Sequence, residues 1–140
     1  MKLVGLRFIV DDDFVIPTGV TLVWVTLLAG GGGGGGAGRT GTADAGGPGG
    51  AGGGSGECLF RHPVIVVPGD TYAVTLGGGG TGGAGRTGST GSGTIGNDGD
   101  ISSFARDIGG GSYDILLTVY GGKGGNPGTT YNTSAVGGYK

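Results

Sequence analysis

The chain is poor in nearly everything from which a chemical site is built. Its 140 residues include one cysteine, Cys58, one histidine, His62, and one glutamate, Glu57. An internal disulfide is excluded, as is a zinc site of the usual Cys/His spacing. Base-plus-nucleophile arrangements are nearly exhausted, so no catalytic residue is assigned and no enzyme is expected. Charge is scarce too: eight Lys and Arg face ten Asp and Glu, for a net −2, with no basic stripe to release counterions from nucleic acid. The most apolar window, 14–29, is broken by Pro17, Gly19 and three threonines, which argues against membrane insertion. Arg7 and the triplet Asp11–Asp13 make the N-terminal stretch a poor signal peptide. No segment sustains a 3.6-residue apolar period, so helix is nearly absent from the reading.

What the chain has in abundance is glycine, 42 residues, with five prolines. A third of a chain in Gly and Pro reads as low complexity. Against that stand 32 Leu, Ile, Val and Phe among 140 residues, which keep the chain just inside the range that can bury a core. One domain with a thin core follows, leaning on partner chains or on unusual backbone packing. The heptapeptide GGAGRTG occurs at 35–41 and again, letter for letter, at 82–88, each time after an apolar segment and a glycine run. A slack linker has no reason to repeat itself. The many GxGxxG matches carry no weight in such a composition, since no βαβ pattern surrounds them and no cofactor is implied.

Apolar residues come in short bursts with period-2 spacing or β-branched bias, which predicts strands at 2–10, 14–16, 20–28, 58–67, 71–76, 101–105 and 114–120. IPTG at 16–19 and VPGD at 67–70 read as turns, proline presetting φ and glycine or aspartate following. In 20–28 both alternating faces are apolar, which predicts a central strand buried on two sides. In 71–76 Tyr72, Val74 and Leu76 alternate with Thr71, Ala73 and Thr75, the pattern of a half-exposed strand. Asp11–Asp13 reads as a solvated turn that blunts strand pairing.

Three times a strand runs directly into glycine: VTLLAGGGG at 25–33, AVTLGGGG at 73–80 and LLTVYGGKGGNPG at 116–128. Such tracts can adopt the extended threefold helix, about 3.1 Å per residue with no internal hydrogen bonds. Its N–H and C=O groups need neighbours, and chains without Cβ atoms can approach closely enough to supply them. A strict Gly-X-Y period and abundant proline are missing, which excludes true collagen. The fold class expected is all-β: a small sandwich-like domain with packed polyglycine-type tracts and little or no helix.

FVIPTGVTLVWVTLLAGGGGGGG, then GGGSGECLFRHPVIVVPGDTYAVTLGGGGTGG, then GDISSF and LLTVYGGKGG, together resemble the glycine-rich domain of bacteriophage tail fibres and related virion appendage proteins. Phe14, Pro17, Gly19, Val20, Val67, Pro68, Gly69, Tyr72, Ser102, Ser103, Phe104 and Gly121 to Gly125 carry the resemblance, which spans roughly 14–128. It implies an N-terminal strand or attachment segment at 1–13, a glycine-rich β domain at 14–128 and a C-terminal tail at 129–140. It further implies a non-enzymatic structural protein of the virion, a tail-fibre or fibre-tip component engaged in host attachment. A capsid decoration protein and a cellular glycine-rich structural protein are the alternatives.

Fibres of this kind are commonly threefold, so the first partner expected is the chain itself, as a homotrimer. Other virion proteins come next, then a host surface saccharide or outer-membrane protein. Receptor or partner contacts are assigned to connections that carry polar and aromatic groups: 89–107, with Asn97, Asp98, Asp100 and Arg106, and 126–140, with Asn126, Tyr131, Asn132 and Tyr139. GNDGDISS at 96–103 reads as a turn and not a calcium loop, because it lacks the spaced carboxylates and distal Glu. No metal site is assigned.

Overall fold

The computed structural model describes residues 5–40, 47–88 and 90–129. Those residues form six strands and no helix. They are β1 (Asp12–Val15), β2 (Leu22–Leu28), β3 (Cys58–Ile65), β4 (Thr71–Thr75), β5 (Ser102–Gly109) and β6 (Ser112–Val119). Two antiparallel sheets result, one of four strands in the order β1-β4-β5-β6 and one of two, β2-β3.

The sheets enclose one apolar cluster in a sandwich-like arrangement. Ile16, Val64, Val66, Tyr72, Val74 and Phe104 are its buried members. Tyr72 and Phe104 stack with centroids 5.3 Å apart, and Phe14 tilts against both. Tyr72 also accepts the Val67 N–H on its hydroxyl at 3.1 Å, tying the loop before β4 to the core. The turn predicted at 67–70 forms, Asp70 N–H reaching Val67 C=O, and the one predicted at 16–19 forms one residue later, Val20 N–H reaching Pro17 C=O. Gly19 and Gly69, at φ +84° and +87°, take the left-handed position that a type II turn requires. As expected, Tyr72 and Val74 point inward while Thr75 faces solvent.

Three strand expectations need correction. Residues 5–10, the described part of the strand predicted at 2–10, lie outside any strand; residues 2–4 fall outside the described residues. The acidic triplet is not a turn: β1 begins inside it, Asp12 pairing with Val74 and Asp13 with Ala73, while the Asp11 carboxylate accepts the Leu76 N–H at 2.7 Å. These carboxylates sit on the edge strand of the larger sheet, where charge hinders edge-to-edge pairing.

The third correction concerns β2, which is not central. It pairs with β3 alone, and while Val23, Val25 and Leu27 turn inward, Leu22, Trp24 and Leu28 are exposed. Opposite Thr26 the ladder slips, with Phe60 and Arg61 bulging out of β3; Arg61 takes φ +49° and donates its N–H to the Thr26 hydroxyl.

Five strands join directly to a glycine tract. Tract 1 (29–39) follows β2, tract 2 (47–57) leads into β3, tract 3 (77–86) follows β4, tract 4 (91–101) leads into β5, and tract 5 (120–128) follows β6. Ser102 sits where sheets give way to tracts. Fully buried, its hydroxyl donates to Leu28 C=O at 2.6 Å and accepts from Gly77 N–H at 2.8 Å, joining the starts of tracts 1 and 3 to the end of tract 4.

Candidate functional site

Hydrogen bonds between the tracts recur at every third residue, the repeat of an extended threefold helix. Tract 1 is the hub. Its N–H groups at Ala29, Gly32, Gly35 and Gly38 donate to carbonyls of Glu57, Gly54, Ala51 and Pro48 in tract 2. The next residue in each repeat, Gly30, Gly33, Gly36 and Arg39, donates to Asp100, Asn97, Thr94 and Gly91 in tract 4. Tract 1 carbonyls in turn accept from tract 3 (Gly80, Gly83 and Arg86) and from tract 5 (Gly122, Gly125 and Gly128). Tracts 2 and 4 also donate to tract 5, and tract 4 to tract 3.

Glycine is required at one or two positions in three. A Cβ on Gly30, Gly33 or Gly36 would lie within 3.0 Å of tract 3 backbone, and one on Gly32, Gly35 or Gly38 would press equally on tract 5. Tract 4 shows the rule in its sequence: Gly93, Gly96 and Gly99 face tract 1, while Thr94, Ile95, Asn97, Asp98, Asp100 and Ile101 fill the remaining positions. Tract 5 reads Gly-Gly-Lys-Gly-Gly-Asn, with Lys123 and Asn126 in the position where a side chain fits.

The tracts run alternately away from the sheets and back, so their described far ends gather opposite the sheets. Tract 1 leaves at Thr40 and tract 2 starts at Gly47; tract 3 leaves at Arg86 and tract 4 starts at Gly91; tract 5 leaves at Gly128. The repeated GGAGRTG belongs to that end, closing tracts 1 and 3. Arg39 exchanges both backbone bonds with Gly91, and the Arg86 guanidinium donates to Thr90 C=O at 3.0 Å.

The residues assigned to partner contact fall differently from the sequence reading. Asn97, Asp98 and Asp100 ride on tract 4, their backbone bonded to neighbouring tracts and the residues themselves exposed. Asn97 accepts the Gly33 N–H, donates its own N–H to the Thr81 carbonyl, and donates its side-chain amide to the Thr81 hydroxyl at 2.9 Å. Asp98, about half exposed, pairs with Lys123 and accepts the Gly124 N–H at 2.8 Å. The Lys123 hydrogen bond and then the Gly124 amide hold its carboxyl below the ordinary value. Asp100 donates its N–H to Gly78 and accepts from Gly30.

Arg106 lies on β5, its guanidinium bonded to Asp70, a surface ion pair some distance along the chain from the other three. Tyr131, Asn132 and Tyr139 lie outside the described residues. GNDGDISS is not a turn either, since 96–101 is the last stretch of tract 4 and 102 and 103 open β5. Among the described residues no three His, Cys, Asp or Glu side chains gather as a metal-ligating cluster, and no helix is long and apolar enough to cross a membrane. Sequence reasoning missed Ser102 as the junction residue and missed the i, i+3 glycine spacing at 47, 50, 53 and 56 and at 93, 96 and 99, which was there to be read.

A β sandwich whose strands continue as a hydrogen-bonded bundle of extended glycine helices defines the class: an all-β glycine-tract protein. The model of the glycine-rich domain family matches residues 10–140, and the chain belongs to that family. No curated protein and no solved structure is significantly similar to it.

Proposed function

We propose that the protein is a non-enzymatic structural component of a bacteriophage virion, at or near the tip of a tail fibre, which self-associates and presents the far end of its glycine bundle to the host surface. One observation carries this reading: five hydrogen-bonded tracts bring their described far ends together at one end of a stiff body roughly 30 Å long at 3.1 Å per residue. Backbone bonding absorbs the tracts, so recognition falls to connections that bear side chains, 40–46, 87–90 and the tail 129–140 with Tyr131 and Asn132. A tyrosine ring offers an apolar face and an asparagine amide pairs with hydroxyls, which suits a saccharide or outer-membrane partner. The resemblance at 14–128 supports the virion setting.

Gold-labelled antibody against the chain should mark the tail tips of particles that carry it, and purified protein should slow adsorption of those particles to cells. Label spread over the capsid in hundreds of copies favours a decoration protein. Particles that carry no label refute the virion assignment.

A further inference from the structure

The bundle is open on one side. Tract 1 aims its N–H groups in three directions, and tracts 2 and 4 fill two of them. The third set, on Gly31, Gly34 and Ala37, has no hydrogen-bond partner among the described residues. These residues form a flank between tracts 2 and 3, with Gly31 and Ala37 exposed.

The glycines of that flank are not demanded by the fold. A Cβ on Gly31 or Gly34 would meet one carbonyl at 3.6 or 3.5 Å, and Cβ atoms on Gly79, Gly82 and Gly85 would only graze tract 1 at 3.7 to 3.8 Å. None of the five has a positive φ. On tracts 4 and 5 the corresponding roomy positions carry Thr, Asn, Asp and Lys. Glycine kept along a flank whose N–H groups are unpaired leaves room for another backbone to approach closely.

The flank continues a second open surface. Tract 1 prolongs β2, whose outer face with β3 exposes Leu22 (48%), Trp24 (56%), Leu28 (61%) and Ile65 (83%). Seven strand residues and nine tract residues give a strip about 50 Å long. Two to three chains wide, it offers on the order of 600 Å², close to the roughly 800 Å² one partner gives to a stable interface. Whatever covers the strip must lay an apolar strand along β2–β3 and then a threefold backbone with a carbonyl at every third residue for Gly31, Gly34 and Ala37. Strand-then-tract units of that kind occur in this chain as β2 with tract 1, β4 with tract 3, and β6 with tract 5.

We propose that the outer face of β2–β3 and the open flank of tract 1 together dock a second copy of this chain. An N–H ladder needs a carbonyl ladder, so the second copy must bring backbone carbonyls at every third residue against Gly31, Gly34 and Ala37. The inference rests on the self-association in the proposed function and assigns its surface.

Light scattering at micromolar concentration tests both. The wild type should give a multiple of 13.3 kDa. The double variant Gly31→Lys, Gly34→Lys, for which the isolated fold has room, should run as a monomer with an unchanged far-ultraviolet spectrum. A wild type that is monomeric at every concentration refutes self-association and this surface together. An assembled double variant refutes the surface alone. Should the double variant not fold, the wild type still decides: Cys58, exposed and paired with Leu28 at the middle of the strip where β2 passes into tract 1, should be alkylated about tenfold more slowly once assembled. An unchanged rate across assembly overturns the proposal.

Discussion

Replacing Gly33 by alanine adds one methyl group at the middle of the bundle. Its Cβ would lie 2.8 Å from the Gly80 carbonyl oxygen and closer still to that of Thr81, both backbone atoms of tract 3 that cannot swing aside. An ordinary contact needs about 3.5 Å or more, so tract 3 must back away by on the order of 1 Å. Two of its bonds to tract 1 flank Gly33: Gly80 N–H to Gly31 C=O and Gly83 N–H to Gly34 C=O, each 2.8 Å. That displacement takes them past the length at which a hydrogen bond counts as made. Leaving partly buried groups unpaired costs about 1–3 kcal/mol each, so Gly33→Ala should lose roughly 2–6 kcal/mol.

Against a total stability of about 5–15 kcal/mol that is a large fraction. Gly52→Ala is the control, since its Cβ would meet nothing within 4 Å and a less flexible unfolded chain should stabilise it by about 0.4–1 kcal/mol. Urea melts at one fixed protein concentration measure both. Equal effects at Gly33 and Gly52 would refute the threefold packing of the tracts.

Three other outcomes are expected. Ser102→Ala strands the Gly77 N–H and the Leu28 C=O at a buried junction and should cost about 2–5 kcal/mol in the same melts; a loss below 0.5 kcal/mol, the range of a surface substitution, would mean that the hydroxyl does not join the tracts. Because the Asp98 carboxyl titrates below its ordinary 3.8 when folded, its pairing with Lys123 stabilises the protein above that value and is lost as pH falls through the lowered one. Asp98→Asn should therefore flatten the acid limb of the stability curve, visibly at low salt and hardly at high salt; identical acid limbs would contradict this. Amide exchange in monomeric protein should protect 29 and 30, 32 and 33, and 35 and 36 while Gly31, Gly34 and Ala37 exchange quickly, and uniform protection or uniform exchange would contradict the hydrogen-bond register.

Much of the sheet was legible because it depends on neighbours in the chain. Alternation placed Tyr72 and Val74 inward, and the Pro-x-Gly and Pro-Gly-Asp signals located both turns, since glycine is the residue that takes positive φ without a steric penalty. That strands feed directly into glycine, and that such glycine needs neighbouring backbone to bond, also followed from sequence. Tertiary structure alone decided which glycines are obligatory. Seven identical residues at 30–36 carry no phase, and only the positions of tracts 2 to 5 around them make Gly33 indispensable and Gly34 roomy.

The two apolar faces of β2 misled for a related reason. Composition records that a face is apolar, not whether the chain's own sheet or another molecule covers it, and here the outer face is left exposed. Asn97, Asp98 and Asp100 looked like a connection because polar residues between glycines resemble a loop. Their backbone bonds to tracts 1 and 3, made with residues tens of positions away, turn the same letters into framework.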